Sequence, residues 1–146
     1  MYKTIQVYTD ILTIKPIILT LFSIDILKYI ISISIRNINE IIYYLRFISK
    51  NNNNYIFELE ELDIPLKLKY IEKIIISHNK DNELIKYIIV ICHKINDNFD
   101  NINSIINYHN TKWFNRWRKI DLEQHIILLK HNVNILKDRL FLLLLI

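Results

Sequence analysis

The sequence predicts an all-α fold: a single-domain helical bundle of about seven helices around one central apolar helix. Three observations carry that expectation. Apolar residues recur at three- and four-residue spacing along most of the chain, which is the period of a helix with one face in a core. A chain of 146 residues, 51% hydrophobic and 23% charged, has the size and composition of one globular domain. Finally, the segment around residues 84–99 is apolar most of the way round, as a helix enclosed by others must be.

The elements follow in chain order. Pro16 separates a short N-terminal element, helix or strand, from an apolar stretch over residues 17–36. Within it Ile31-Ser32-Ile33-Ser34-Ile35-Arg36 alternates with a strand's period, and isoleucine favours strands, so helix and strand both stay open there. Residues 39–49 read as a helix with Ile42, Leu45 and Ile48 inward. Residues 51–54 are a low-complexity asparagine loop, and Glu58, Glu60, Glu61 and Asp63 form a solvated acidic loop beyond it. Asp63-Ile64-Pro65 marks a helix start, with Asp as cap and Pro in the first turn. Leu66, Tyr70, Ile71, Ile74 and Ile75 then share one face, and Lys67, Lys69, Glu72 and Lys73 the other. The central helix is expected from the cap Asp81 to about Asn98. Leu84, Ile88, Ile91, Ile95 and Phe99 make its inner stripe, and Tyr87, Ile89 and Val90 are apolar on other faces. Asp100 and Asp121 are cap candidates before helices at 102–108 and 122–130, and residues 133–145 close the chain as a last apolar helix.

Composition excludes several function classes. The chain has no glycine and no alanine, and roughly a quarter of it is isoleucine, a bias toward AT-rich codons. Without glycine there is no phosphate-cradling loop, no dinucleotide fingerprint and no nucleophile elbow, each of which needs backbone that a side chain blocks. The net charge of +4 is spread along the chain rather than gathered on one face, which argues against a nucleic-acid partner. The single cysteine, Cys92, makes no internal disulfide, and residues 1–10 lack the pattern of a secretory signal. Residues 17–35 are about long enough to cross a bilayer. Asp25 and Lys28 inside them cost about 2.5–3.5 kcal/mol each at a helix centre, against about 0.3–0.6 returned per Ile, Leu or Phe. A membrane partner is therefore not expected.

Candidate chemistry is sparse. Cys92-His93 pairs a nucleophile with a base in sequence only, because adjacent helical residues point about 100° apart. Cys92 falls within an apolar stretch where an inert buried thiol is the expectation. His78, His93, His109, His125 and His131 show no metal-ligand spacing, so no metal and no cofactor is expected. The most distinctive patch is Lys112-Trp113-Phe114-Asn115-Arg116-Trp117-Arg118-Lys119, which holds both tryptophans among four cations. Trp113 and Trp117 at i and i+4 could face a core while the cations face water. The patch could also anchor a protein partner, since Trp and Arg dominate interface hot spots, or stack on nucleic-acid bases. The functional assignment is partner contact through Trp113, Phe114, Arg116, Trp117 and Arg118.

The run Ile91-Cys92-His93-Lys94-Ile95-Asn96-Asp97-Asn98-Phe99 resembles the central helix of the poxvirus Bcl-2-like proteins. Several of these carry an Ile/Leu-Cys-Ala-Lys-Ile run ending in an aromatic, usually Trp followed by Gly. Upstream, Ser32-Ile33-Ser34-Ile35-Arg36-Asn37, then Ile41-Ile42-Tyr43-Tyr44-Leu45-Arg46-Phe47, then the segment 58–62 and the helix 66–76 are similar to that family's order and spacing. Residues 113–117 and Ile135-Leu136-Lys137-Asp138-Arg139-Leu140 resemble a Phe-x-Arg-Trp stretch and closing helix of one branch. The resemblance covers residues 22–140 with gaps, and an AT-rich viral genome would account for the missing Gly and Ala.

That resemblance implies a Bcl-2-like bundle with no enzymatic activity, working in the host cytoplasm. Its expected function is to bind a host signalling adaptor or kinase and inhibit Toll-like receptor and NF-κB signalling. The alternative within the fold is an anti-apoptotic protein holding pro-apoptotic helical peptides in an apolar groove lined by Leu66, Tyr70, Ile74 and Ile88. Death-regulating members carry an Asn-Trp-Gly-Arg-type motif whose Arg pairs with the bound helix. Here Asp100 follows Phe99 and no such Arg is present, and the apolar run 140–146 is too short for an anchor, so the resemblance points to the signalling branch. From another class, a helical nucleic-acid-binding protein centred on residues 112–119 remains the rival. Homodimers occur in the resembled family, and the apolar ends of this chain would suit one.

Overall fold

A computed structural model describes residues 16–48, 53–77, 83–113 and 119–145. They form five helices and no strand: α1 (Pro16–Phe47), α2 (Asn53–Glu61), α3 (Ile64–Ser77), α4 (Glu83–Asn110) and α5 (Glu123–Leu144). The element expected before Pro16 lies outside the described residues, as does Asp81, the cap expected for the central helix.

The count of about seven helices is corrected by three mergers. The expected breaks within 37–39, at Asp100 and at 131–132 are all helical interior, so α1 runs for 32 residues, α4 for 28 and α5 for 22. In α4 the buried row Ile88, Cys92, Ile95, Phe99 continues without a phase change into Ile102 and Ile106. Asp100 therefore sits beside a core that rewards further helix, and its carbonyl accepts a bond from Ser104 Oγ at 3.0 Å. Asn53, Asn54, Glu58, Glu60 and Glu61, expected in loops, lie instead in α2.

The Ile/Ser alternation at 31–35 resolves as helix. A strand would bury Ile31, Ile33 and Ile35 together; the structure buries Leu27, Ile31, Ser34, Ile38, Ile41 and Leu45, a helical row. β-branching costs each isoleucine a few tenths of a kcal/mol in a helix, whereas enclosing its side chain returns about 1.5–3 kcal/mol. Packing decides.

At the α2–α3 junction the chain turns through Asp63 at φ 48°, the only non-glycine positive φ among the described residues. This left-handed conformation is one glycine takes freely, and Asp is among the few others that tolerate it. With no glycine in the chain, Asp63 fills the position, and its carbonyl accepts the first α3 bond from Lys67 N at 3.2 Å. Its role as a helix start stands, through its backbone. At α5 the N-cap is Leu122 rather than Asp121, but Asp121 Oδ1 accepts the Glu123 amide at 3.2 Å from one residue further out.

Specific pairs give the directions of packing. Ser34 and Asn37 meet Asn96, and Tyr44 meets His109, so α1 and α4 run parallel. Tyr55 OH accepts from Leu122 N and Glu58 pairs with Lys130, so α2 runs parallel with α5. Arg139, near the end of α5, donates to the Tyr87 carbonyl near the start of α4 at 2.8 Å, which makes those two antiparallel. α4 packs on both α1 and α5, and α3 packs on α1. α4 is the central helix, with thirteen buried residues.

Candidate partner-binding surface at the end of α4

The last turn of α4 closes in a way that leaves an aromatic and cationic surface behind it. Thr111 N bonds the carbonyls of Asn107 (3.3 Å) and Tyr108 (3.2 Å), Lys112 N bonds His109 O (3.1 Å), and Thr111 Oγ1 bonds Tyr108 O (2.6 Å). These bonds satisfy carbonyls that every helix end leaves open. Asn110 is the last helical residue, so Trp113 lies in a turn rather than on a helix face. It is 82% exposed. The core-packing reading of Trp113 is thereby corrected: it follows the end of α4 and its side chain faces water. Phe114, Arg116, Trp117 and Arg118 lie outside the described residues.

Beside Trp113 the Lys112 ammonium sits 4.3 Å from the centroid of the exposed Tyr108 ring, a cation–π contact. A cleft of about 670 Å³ opens here, lined by Ile105, Tyr108, His109, Lys112, Lys119, Ile120 and Asp121. Two lysines, one aspartate and an apolar floor suit a peptide segment with acidic and apolar side chains. The floor is held in place from behind: His109 Nδ1 lies 3.1 Å from Tyr44 OH, with their rings edge to face at 88°. Burial pushes the Tyr44 hydroxyl above its ordinary range. The sequence held a signal for that pair only in the helical phase of Tyr44 and His109, and the pairing across 65 residues was invisible.

The four groove residues separate. Ile74 and Ile88 are enclosed in the core, while Leu66 and Tyr70 are exposed on the opposite side of α3. The face assigned to α3 is corrected accordingly: Ile64, Leu68, Ile71, Ile74 and Ile75 point inward. Taking Leu66 as the first inward residue put the stripe about half a turn out of phase at its start.

Elsewhere on α4, Cys92 is fully enclosed and burial pushes its thiol up to about 12, the inert state expected of it. His93 Nε2 lies 3.8 Å from Asp97 Oδ1, one turn on. Burial raises the Asp97 carboxyl above its ordinary range against the pull of His93, and burial raises Asp100 likewise. Two acidic residues of α2 make surface ion pairs, Glu60 with Arg46 and Glu58 with Lys130, the latter at 3.2 Å. Among the described residues no three His, Cys, Asp or Glu side chains gather as metal ligands. No described helix is long and apolar enough to cross a membrane.

A polar layer that sequence reading missed ties α1 to α4. Asn96 Oδ1 accepts from Ser34 Oγ and from Asn37 Nδ2, each at 3.3 Å, and all three side chains are buried. Its trace in the sequence is that Ser34, Asn37 and Asn96 interrupt otherwise apolar helical rows. Compared with known proteins, the chain matches no family model, no curated protein and no solved structure.

Proposed function

We propose that this chain is a non-enzymatic, Bcl-2-like viral bundle that binds a host adaptor or kinase of Toll-like receptor and NF-κB signalling in the host cytoplasm. The observation that carries the binding assignment is Trp113, held 82% exposed on a turn beside a cleft rimmed by Lys112 and Lys119. Water-facing tryptophan next to cations is the composition of an interface anchor. The family assignment is supported by the place of the run Ile91–Phe99, which lies in a long helix enclosed between α1 and α5. The signalling branch is favoured over peptide-groove binding because Leu66 and Tyr70 do not share a cleft with Ile74 and Ile88.

The test is an NF-κB reporter in stimulated human cells, paired with co-precipitation of pathway adaptors and kinases. Repression by the chain, weakened together with co-precipitation by Trp113→Ala at unchanged expression, is the expected result. A Trp113→Ala variant that represses as well as the parent overturns the surface, and a folded chain that neither represses nor co-precipitates overturns the function. Saturable binding of pro-apoptotic helix peptides below about a micromolar, worth about 8 kcal/mol, would move the protein to the cell-death branch.

A further inference from the structure

A second cleft lies away from Trp113, where α2 and α3 meet on α1. Both helices pack on α1, and at their junction a cavity of about 440 Å³ opens against it, within the size range of ligand clefts. Its floor is apolar: Ile38 and Leu59 are enclosed, and Ile42 and Pro65 are half-buried beside them. Tyr43, 74% exposed, forms part of the wall. Three charged side chains also line it, Arg46, Glu60 and Asp63. Arg46 and Glu60 cancel one another in the ion pair that ties α1 to α2. The exposed Asp63 carboxylate is paired with no cation among the described residues. One negative charge is therefore left over in the cleft of a chain whose net charge is +4, in company with a tyrosine ring, whose face attracts cations.

We propose that this cleft docks a basic, apolar segment of a partner protein. An aliphatic or aromatic side chain of the segment rests on the floor of Ile38, Ile42, Leu59 and Pro65, and a Lys or Arg is answered by the Asp63 carboxylate and the Tyr43 ring. The apolar anchor supplies buried area and the charge selects the partner. An acidic segment is disfavoured, because its charge would meet Asp63 while Arg46 is already engaged by Glu60. The site is distinct from the groove expected at Leu66, Tyr70, Ile74 and Ile88, none of which lines it. It also shares no lining residue with the cleft beside Trp113, and it stands or falls independently of the function proposed above.

Titration of fluorescein-labelled peptides against the full chain, read by anisotropy, tests the proposal. The panel places Lys or Arg within a few residues of Leu, Ile or Phe, and each peptide has a counterpart with Glu in place of the cation. Basic members should bind saturably with Kd below about a millimolar, and the Glu counterparts should not. Asp63→Asn should weaken binding about threefold, the scale of one exposed ion pair. Asparagine tolerates the left-handed backbone that Asp63 adopts at φ 48°, so this variant removes the charge and keeps the turn. Arg46→Gln should act in the opposite direction, because it releases Glu60 to the incoming cation, and should tighten basic peptides by about the same factor. Tyr43→Ala, at an exposed position, should weaken them, with the far-ultraviolet helix signal unchanged in every variant. Amide shifts in two-dimensional NMR should move at 38–46 and 59–65 and stay fixed at 105–121. Failure of every basic peptide to bind, tighter binding of the Glu counterparts, loss of binding in Arg46→Gln, or shifts confined to 105–121 would each overturn the proposal.

Discussion

Replacing Asn96 by alanine tests what the buried polar layer contributes. Asn96 Oδ1 is the acceptor for both Ser34 Oγ and Asn37 Nδ2, and their side chains are 1% and 8% exposed. Removing the amide strands two donors out of reach of water, at about 1–3 kcal/mol each. Two effects offset part of that cost. Alanine is the better helix former by roughly half a kcal/mol, and the Ser34 hydroxyl can turn back to a carbonyl of its own helix, recovering about 1 kcal/mol. The net expectation is a loss of about 2–3 kcal/mol. Urea unfolding followed by circular dichroism measures it, with an unchanged m-value showing that the unfolding transition is otherwise the same. Ser34→Ala alone leaves Asn96 bonded to Asn37 and should cost only about 0.5–1.5 kcal/mol. Because the two residues share one bond, the double variant should cost less than the sum of the single variants. Additive losses, or an Asn96→Ala cost below about half a kcal/mol, would refute the argument that these bonds are made in a water-excluded layer. A fourth variant separates stability from specificity: replacing Ser34, Asn37 and Asn96 together by apolar residues removes every stranded donor and should be far less costly than Asn96→Ala.

Other expectations follow from single positions. Asp63→Gly should stabilise the fold by up to about 1 kcal/mol and Asp63→Val should destabilise it by about 1–2 kcal/mol, because only glycine takes φ 48° without steric cost; thermal melts measure both. Cys92 should resist iodoacetamide at pH 8 in the native protein and react on addition of denaturant, as an enclosed thiol raised to about 12 requires. Asp97 has its carboxyl raised by burial, so the folded state favours its protonated form. The sign follows: its contribution is favourable below the carboxylate's unfolded pKa and is lost as pH rises through the folded value. Asp97→Asn should therefore raise the melting temperature at pH 7, and the difference should vanish on acidification below the ordinary carboxylate range. A variant less stable than the parent at pH 7 would show that the His93 contact outweighs desolvation.

Helical period made the inward faces legible in the sequence. The inward row of α4 was visible as Leu84, Ile88, Ile91, Ile95 and Phe99; the last four are enclosed, and Leu84, in the first turn, is only partly buried. Where helices end was far less legible. Asp100 has the chemistry of a cap, yet it lies in mid-helix because Ile102 and Ile106 keep facing the core. A local N-cap signal carries about 1 kcal/mol; two buried isoleucines outweigh it. The candidate surface was legible in composition and not in placement. Trp113 and its neighbouring cations are conspicuous in the sequence, but whether Trp113 turns inward depends on where α4 stops, and that is set by the bonds of Thr111 and Lys112 to the last turn.

By itself, then, the sequence determined a mainly helical bundle with a central apolar helix and without glycine-dependent chemistry, because periodicity and residue type are local properties. Only the tertiary structure decided which helices run on unbroken, that Asn96 gathers Ser34 and Asn37 from about 60 residues away, and that Leu66 and Tyr70 face water. Those outcomes depend on which faces meet. The free energy of burial that settles them belongs to pairs of helices and is carried by neither sequence segment alone.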